Sequence, residues 1–198
     1  MKYTKELRQH FSKKPVFSVR DIKNFFSKKK ISSKYVNVLL NHLLKRKEIF
    51  RIAKGTYSFG TDPNVIAFAI QPSYFGLQDA LSLHGFWNQG TIPILITPRK
   101  IRPGLRKVAG TNVLVRRISR KMFFGIEMIK YSDFWIPISD SEKTLIDFFY
   151  FNEPLDRQTR KKMLKKTNKK KLSGYLKKTS KKTRKKINKF LGAEYKEE

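Results

Sequence analysis

Residues 32–59 read SSKYVNVLLNHLLKRKEIFRIAKGTYSF, and their periodicity decides how the first third of the chain folds. Val36, Leu39, Leu40, Leu43 and Leu44 recur at the i, i+3, i+4, i+7, i+8 spacing that places apolar side chains on one face of an α-helix. Lys34, Asn37, Asn41 and Lys45 repeat at the same period on the other side, and these side-chain types bond base edges and phosphates. Behind this helix, residues 49–53 and 56–59 are β-prone runs flanking Lys54 and Gly55, and a glycine there can take the positive φ of a tight hairpin. A helix followed by a basic hairpin predicts a recognition helix and its wing.

Upstream, Tyr3, Leu7 and Phe11 at i, i+4, i+8 predict a first helix ending near Pro15, and Val16 and Phe17 allow a minimal strand. Ser18, with Asp21 three residues later, forms an approximate capping box for a second helix whose buried face is Ile22, Phe25 and Phe26. A polar turn of Ser27, Lys28, Lys29 and Lys30 then leads through Ile31 to the third helix. Helix, short strand, helix, turn, helix, hairpin is the order of a winged helix-turn-helix, assigned to residues 1–60. Lys34, Asn37 and Asn41 are the candidates for the major groove, while Ser33, Lys45, Arg51 and Lys54 are the candidates for phosphates or the adjacent minor groove. Any three-helix unit buries leucines at this spacing, and Lys and Asn are ordinary on a solvated face.

The charge of the whole chain tips that balance. The 198 residues carry 45 Lys and Arg against 15 Asp and Glu, a formal net charge of +30 that must attract a polyanion. The same charge suits an RNA-binding or ribosome-associated protein, so that alternative stays open. An apolar content of 39% with 16 Phe is enough to build real cores. There is no Cys, and His10, His42 and His84 are scattered, which excludes disulfides and thiolate metal sites and argues against a structural zinc site; no cofactor is expected. The N-terminus lacks the apolar core of a signal peptide, and no apolar run nears the roughly 18 residues of a membrane span. The expected setting is cytoplasmic, with no membrane contact.

A second, α+β domain is expected over residues 61–155, after a linker at Thr61, Asp62 and Pro63. Ser73 is the expected cap of a helix from Tyr74 to His84, closed by Gly85, with Leu77, Ala80, Leu81 and His84 on one face. His84 in that setting is a packed or hydrogen-bonded core histidine. Strands are expected at residues 92–97 and 112–118, with a basic turn at 98–104 between them, and a hairpin at 124–131 and 134–138 turning at Ser132 and Asp133. Ser139 and Glu142 form a capping box for a last helix. Residues 156–198 complete the chain as a lysine-rich helical tail with a break at Gly174, suited to phosphate contact that does not depend on sequence.

Two patches resemble the AbiEi-type antitoxins of type IV toxin–antitoxin, phage abortive-infection systems. Residues 73–85, SYFGLQDALSLHG, are similar to that family's serine-aromatic, alanine-leucine, histidine-glycine helix. Residues 137–147, PISDSEKTLID, are similar to its acidic, glutamate-lysine, leucine, aspartate segment. With the winged-helix pattern ahead of them, the resemblance covers about residues 15–150. It implies a transcriptional autorepressor that binds double-stranded operator DNA and counters a nucleotidyltransferase-like toxin. A stand-alone regulator of the same architecture fits the residues as well, and the oligomeric state is open.

Asp140, Glu142 and Lys143 superficially suggest a metal-dependent nuclease, but in that arrangement acid and lysine alternate along a strand with another acid upstream, whereas Glu142 stands where a capping box wants it. Capping, with surface pairing among Glu142, Lys143 and Asp147, is the expected role. No catalytic residues, metal ligands or enzymatic activity are expected.

Overall fold

A computed structural model describes residues 2–29 and 31–194. The fold is α+β with a mixed sheet. It divides into two compact units, one of residues 1–71 with 105–113, the other of 72–104 with 114–198.

The first unit runs α1 (Thr4–Phe11), β1 (Phe17–Ser18), α2 (Val19–Phe25), a 3-10 turn, α3 (Ser33–Lys45), β2 (Phe50–Ala53), β3 (Thr56–Ser58) and α4 (Ile66–Ala69). β3 lies between β1 and β2 in an antiparallel sheet, with Tyr57 opposite both Phe17 and Arg51. The Ser18 capping box forms as expected. Ser18 Oγ accepts from the Asp21 amide at 3.1 Å, and the Asp21 carboxylate accepts from the Ser18 amide at 2.7 Å. Leu7, Phe11, Phe17, Ile22, Phe26, Val36, Leu39, Leu40 and Leu43 make one core. Two expected core positions differ. Leu44 is only half-buried, and Phe25 is 37% exposed with its ring stacked on His10. α2 ends at Phe25, so the chain turns Phe26 inward and leaves its neighbour outside.

The expected boundary at residues 60 and 61 falls instead between 71 and 72. Asp62 caps a 3-10 turn by accepting from the Asn64 amide at 2.8 Å, and Val65, Ile66 and Ile70 beyond it are buried. Their apolar surface keeps this segment with the first unit.

The second unit contains β4 (Tyr74–Phe75), α5 (Gln78–Leu83), β5 (Ile94–Thr97), β6 (Gly104–Val108), β7 (Thr111–Arg117), β8 (Ile126–Tyr131), β9 (Phe134–Ser139), α6 (Ser141–Phe151), α7 (Arg157–Lys166), α8 (Lys169–Lys178) and α9 (Lys181–Glu194), less the part of β6 and β7 that groups with the first unit. Within this unit the strand order is β7-β5-β4-β9-β8, with β4 parallel to β9 and β5 parallel to residues 114–117 of β7. β6 falls where a turn was expected to end.

The helix expected from Tyr74 starts at Gln78. Tyr74 and Phe75 are fully buried strand residues, Tyr74 opposite Ile96 and Phe75 opposite both Leu95 and Ile138, so Ser73 is not a helix cap. A two-residue strand covered on both faces shows no alternation that would distinguish it from a helix. Gly85, at φ 71°, does end α5 as expected.

The cap of α6 is displaced by one residue. Asp140, not Ser139, accepts from the Lys143 amide at 2.8 Å, and Ser139 bonds Thr144 instead. The tail is also not a tail over the described residues. α7, α8 and α9 all pack on α6, and Met163, Leu172, Leu176 and Ile187 join Leu145 and Phe148 in the core. Gly174 lies inside α8. The breaks come where Asn168 and Ser180 accept from the amides of Lys171 and Thr183, because a side-chain cap starts a new helix more firmly than one glycine interrupts an old one.

Candidate nucleic-acid interface

α3 begins where Ser32 Oγ accepts from the Tyr35 amide at 3.2 Å. Its apolar stripe is buried, which turns the opposite stripe to solvent. Lys34, Asn37, Asn41 and Lys45 are all exposed. At 3.6 residues per turn they fall within about 100° of the helix circumference and span about 16 Å along its axis. Ser33 is exposed too, but at the first turn and off this stripe.

Val38 was missed by the sequence reading. It lies within the polar stripe and is 48% exposed, an apolar side chain among hydrogen-bonding ones. Its position four residues after Lys34 already places it beside that stripe in the sequence.

The C-terminal end of α3 is tied to α1 through Glu48, which pairs with Arg46 at 2.8 Å and with Arg8. The Arg8 hydrogen bond holds the Glu48 carboxyl below its usual range. In the hairpin, Lys54 is exposed beside Gly55 at φ 73°, and the exposed Arg51 guanidinium lies 5.9 Å from the Tyr57 ring centre. All seven expected contact residues are thus solvent-facing in one unit, five on α3 and two on the hairpin.

The second unit holds a different kind of site. The patches at residues 73–85 and 137–147 meet in its core: Phe75 pairs with Ile138, and His84 Nε2 donates to the Ser139 carbonyl at 2.7 Å. Lys143 and Asp147, expected as a surface pair, are fully buried and ion-paired. Tyr74 closes the triangle, its hydroxyl 2.9 Å from Lys143 Nζ and 2.8 Å from Asp147 Oδ2. Burial pushes Lys143 down and Asp147 up, each against the attraction of the other. Burial and the Asp147 charge push the Tyr74 phenol well above its ordinary value.

Glu142 is not a capping residue. It accepts from the Asn168 amide at 2.7 Å and pairs with Lys171 at 3.2 Å, while Asp140 pairs with Lys171 at 3.1 Å and accepts from the Tyr175 hydroxyl at 2.8 Å. These acids join α6 to α8. Tyr175 is pushed up to about 12 by burial and by the Asp140 carboxylate. Among the described residues, no three His, Cys, Asp or Glu side chains gather as a metal site, and no helix is long and apolar enough to cross a membrane.

No protein-family model matches the chain, and no curated protein matches it.

Proposed function

We propose that this chain is a sequence-specific DNA-binding regulator whose first unit is a winged helix-turn-helix, with α3 as recognition helix and β2–β3 as wing. The observation that carries this reading is the solvent-facing stripe of Lys34, Asn37, Val38, Asn41 and Lys45 on a helix whose other face is locked into a core. Asn37 and Asn41 read base edges there, and Ser33, Lys45, Arg51 and Lys54 hold backbone phosphates. The net charge of +30 adds attraction that does not depend on sequence.

With its two antitoxin-like patches hydrogen-bonded to each other in the second unit, the chain acts as an AbiEi-type autorepressor that counters a nucleotidyltransferase-like toxin. It carries out no catalysis of its own. The test is footprinting on the duplex upstream of its own gene. Asn37→Ala should cost about 1–3 kcal/mol at the protected site and relax specificity, while Lys54→Ala weakens binding to every duplex alike. Footprints unchanged by Asn37→Ala and Asn41→Ala together would defeat the docking assignment. Failure to neutralise the product of the adjacent gene would defeat the antitoxin part alone.

A further inference from the structure

Residues 157–193 carry 17 Lys and Arg and no Asp or Glu. In a flexible tail such charge would be diffuse, but here it is fixed on three packed helices. Thr159 and Met163 of α7, and Thr183 and Ile187 of α9, are buried at matching i, i+4 positions. The two helices also share an exposed pattern: Lys161, Lys162 and Lys165 on α7 repeat as Lys181, Lys182 and Lys185 on α9. Arg184 fastens α9 to the end of α8 by donating to the carbonyls of Leu176 at 2.9 Å and Lys177 at 3.0 Å. Lys181, Arg184, Lys185, Asn188 and Lys189 share one face of α9.

We infer that α7, α8 and α9 form a second DNA-binding surface, which grips the phosphate backbone of a duplex without reading its sequence. Three observations select this partner. Lys outnumbers Arg 14 to 3 in this stretch, and the Lys ammonium meets phosphate as a flexible point charge without the rigid fork that gives Arg its geometric specificity. Among the described residues of these helices no aromatic ring is exposed, since Tyr175 packs on Phe124 and Phe190 on Phe149. The stacking platforms that hold single-stranded RNA or DNA are therefore missing from the face. Among the described residues of α7–α9 the apolar side chains lie in or against the core, which leaves no exposed apolar stripe to insert into a lipid surface. This surface does not depend on the recognition-helix assignment.

The test compares three full-length variants by salt series on a scrambled duplex, the native upstream duplex, single-stranded RNA and phosphatidylserine vesicles. In the first, Lys161, Lys162, Lys165, Lys181, Lys182 and Lys185 become Gln; in the second they become Arg; the third is Asn37→Ala with Asn41→Ala. Each lost phosphate contact lowers the slope of log K against log salt by about 0.9, so the Gln variant should bind the scrambled duplex with a slope shallower by roughly 2 to 5. The Arg variant should keep the full slope, which shows that charge and not folding is at issue. Preference for the native duplex should survive the Gln variant and disappear only in the Asn pair. An unchanged slope in the Gln variant overturns the inference. So does tighter binding of RNA or vesicles than of duplex through these six lysines at the same salt.

Discussion

The Tyr74 hydroxyl donates to Asp147 Oδ2 at 2.8 Å across 73 residues of sequence, inside a core where both side chains are fully buried. With Lys143 Nζ at 2.9 Å from the same hydroxyl, a strand at the centre of the sheet and the helix packed beside it share one closed polar triangle. A buried charge pair adds little net stability over well-packed apolar residues, but breaking it leaves one charge without water or partner. Lys143→Ala should therefore destabilise the second unit by about 3–5 kcal/mol, whereas Lys143→Met combined with Asp147→Leu should cost far less. Urea unfolding of both variants decides this. Equal losses would mean that the triangle contributes through packing rather than through charge.

Asp79 on α5 offers a handle on pH. Burial raises its carboxyl from 3.8 to about 7, against the opposing hydrogen bond from the Ile94 amide. The folded form therefore keeps a proton that the unfolded chain has already lost. Stability should fall as pH rises from about 4 to 7, by at most about 1.4 kcal/mol per unit, and level off above that window. Asp79→Asn should flatten the decline and leave the protein more stable than the parent at pH 8, which thermal melts across the range would detect.

Two glycines separate backbone strain from crowding. A Cβ on Gly125, at φ 65°, would meet Lys143 Cβ at 2.8 Å and Tyr175 Cε2 at 2.9 Å, so Gly125→Ala should cost about 2–4 kcal/mol. Gly55, at φ 73° with nothing within 4 Å, should cost only about 1 kcal/mol on the same change. Chemical denaturation should show the larger loss at Gly125.

Val38 tests the α3 assignment by a route that the asparagines do not. Because 48% of it is already exposed, Val38→Ala should change stability by less than about 0.5 kcal/mol. On the proposed docking it should still weaken binding to the native duplex and reduce discrimination at a thymine. Binding to native and scrambled duplexes that is unchanged by Val38→Ala would remove it from the interface.

The elements that could be read from the sequence are those whose causes are local. The α3 stripe depends on residues three and four apart, the α2 cap on Ser18 and Asp21, and the hairpin turn on the positive φ open to Gly55. The β8–β9 hairpin likewise closes across Ser132, at φ 51°, between strands that pair in simple succession. Within the candidate interface, every expected contact residue faces solvent because its helix or hairpin was correctly phased.

What could not be read depends on partners far along the chain. Tyr74 and Phe75 are strand residues because β5 and β9 flank them, and nothing within a few residues of Tyr74 signals it. Lys143 resembles a solvated helical lysine until Tyr74 and Phe124 enclose it. The helical character of the basic stretch was legible, but its breaks, at Asn168 and Ser180 rather than at Gly174, were not. Nor was the docking of its helices onto α6, because it rests on four separated apolar residues, Met163, Leu172, Leu176 and Ile187, and on carboxylates from another helix, Asp140 and Glu142. Helical phase and turn chemistry are settled by neighbours along the backbone, so the sequence alone specifies them. Whether a charged side chain faces water or a buried counter-charge depends on which distant surfaces close over it, and that is settled only when the whole unit packs.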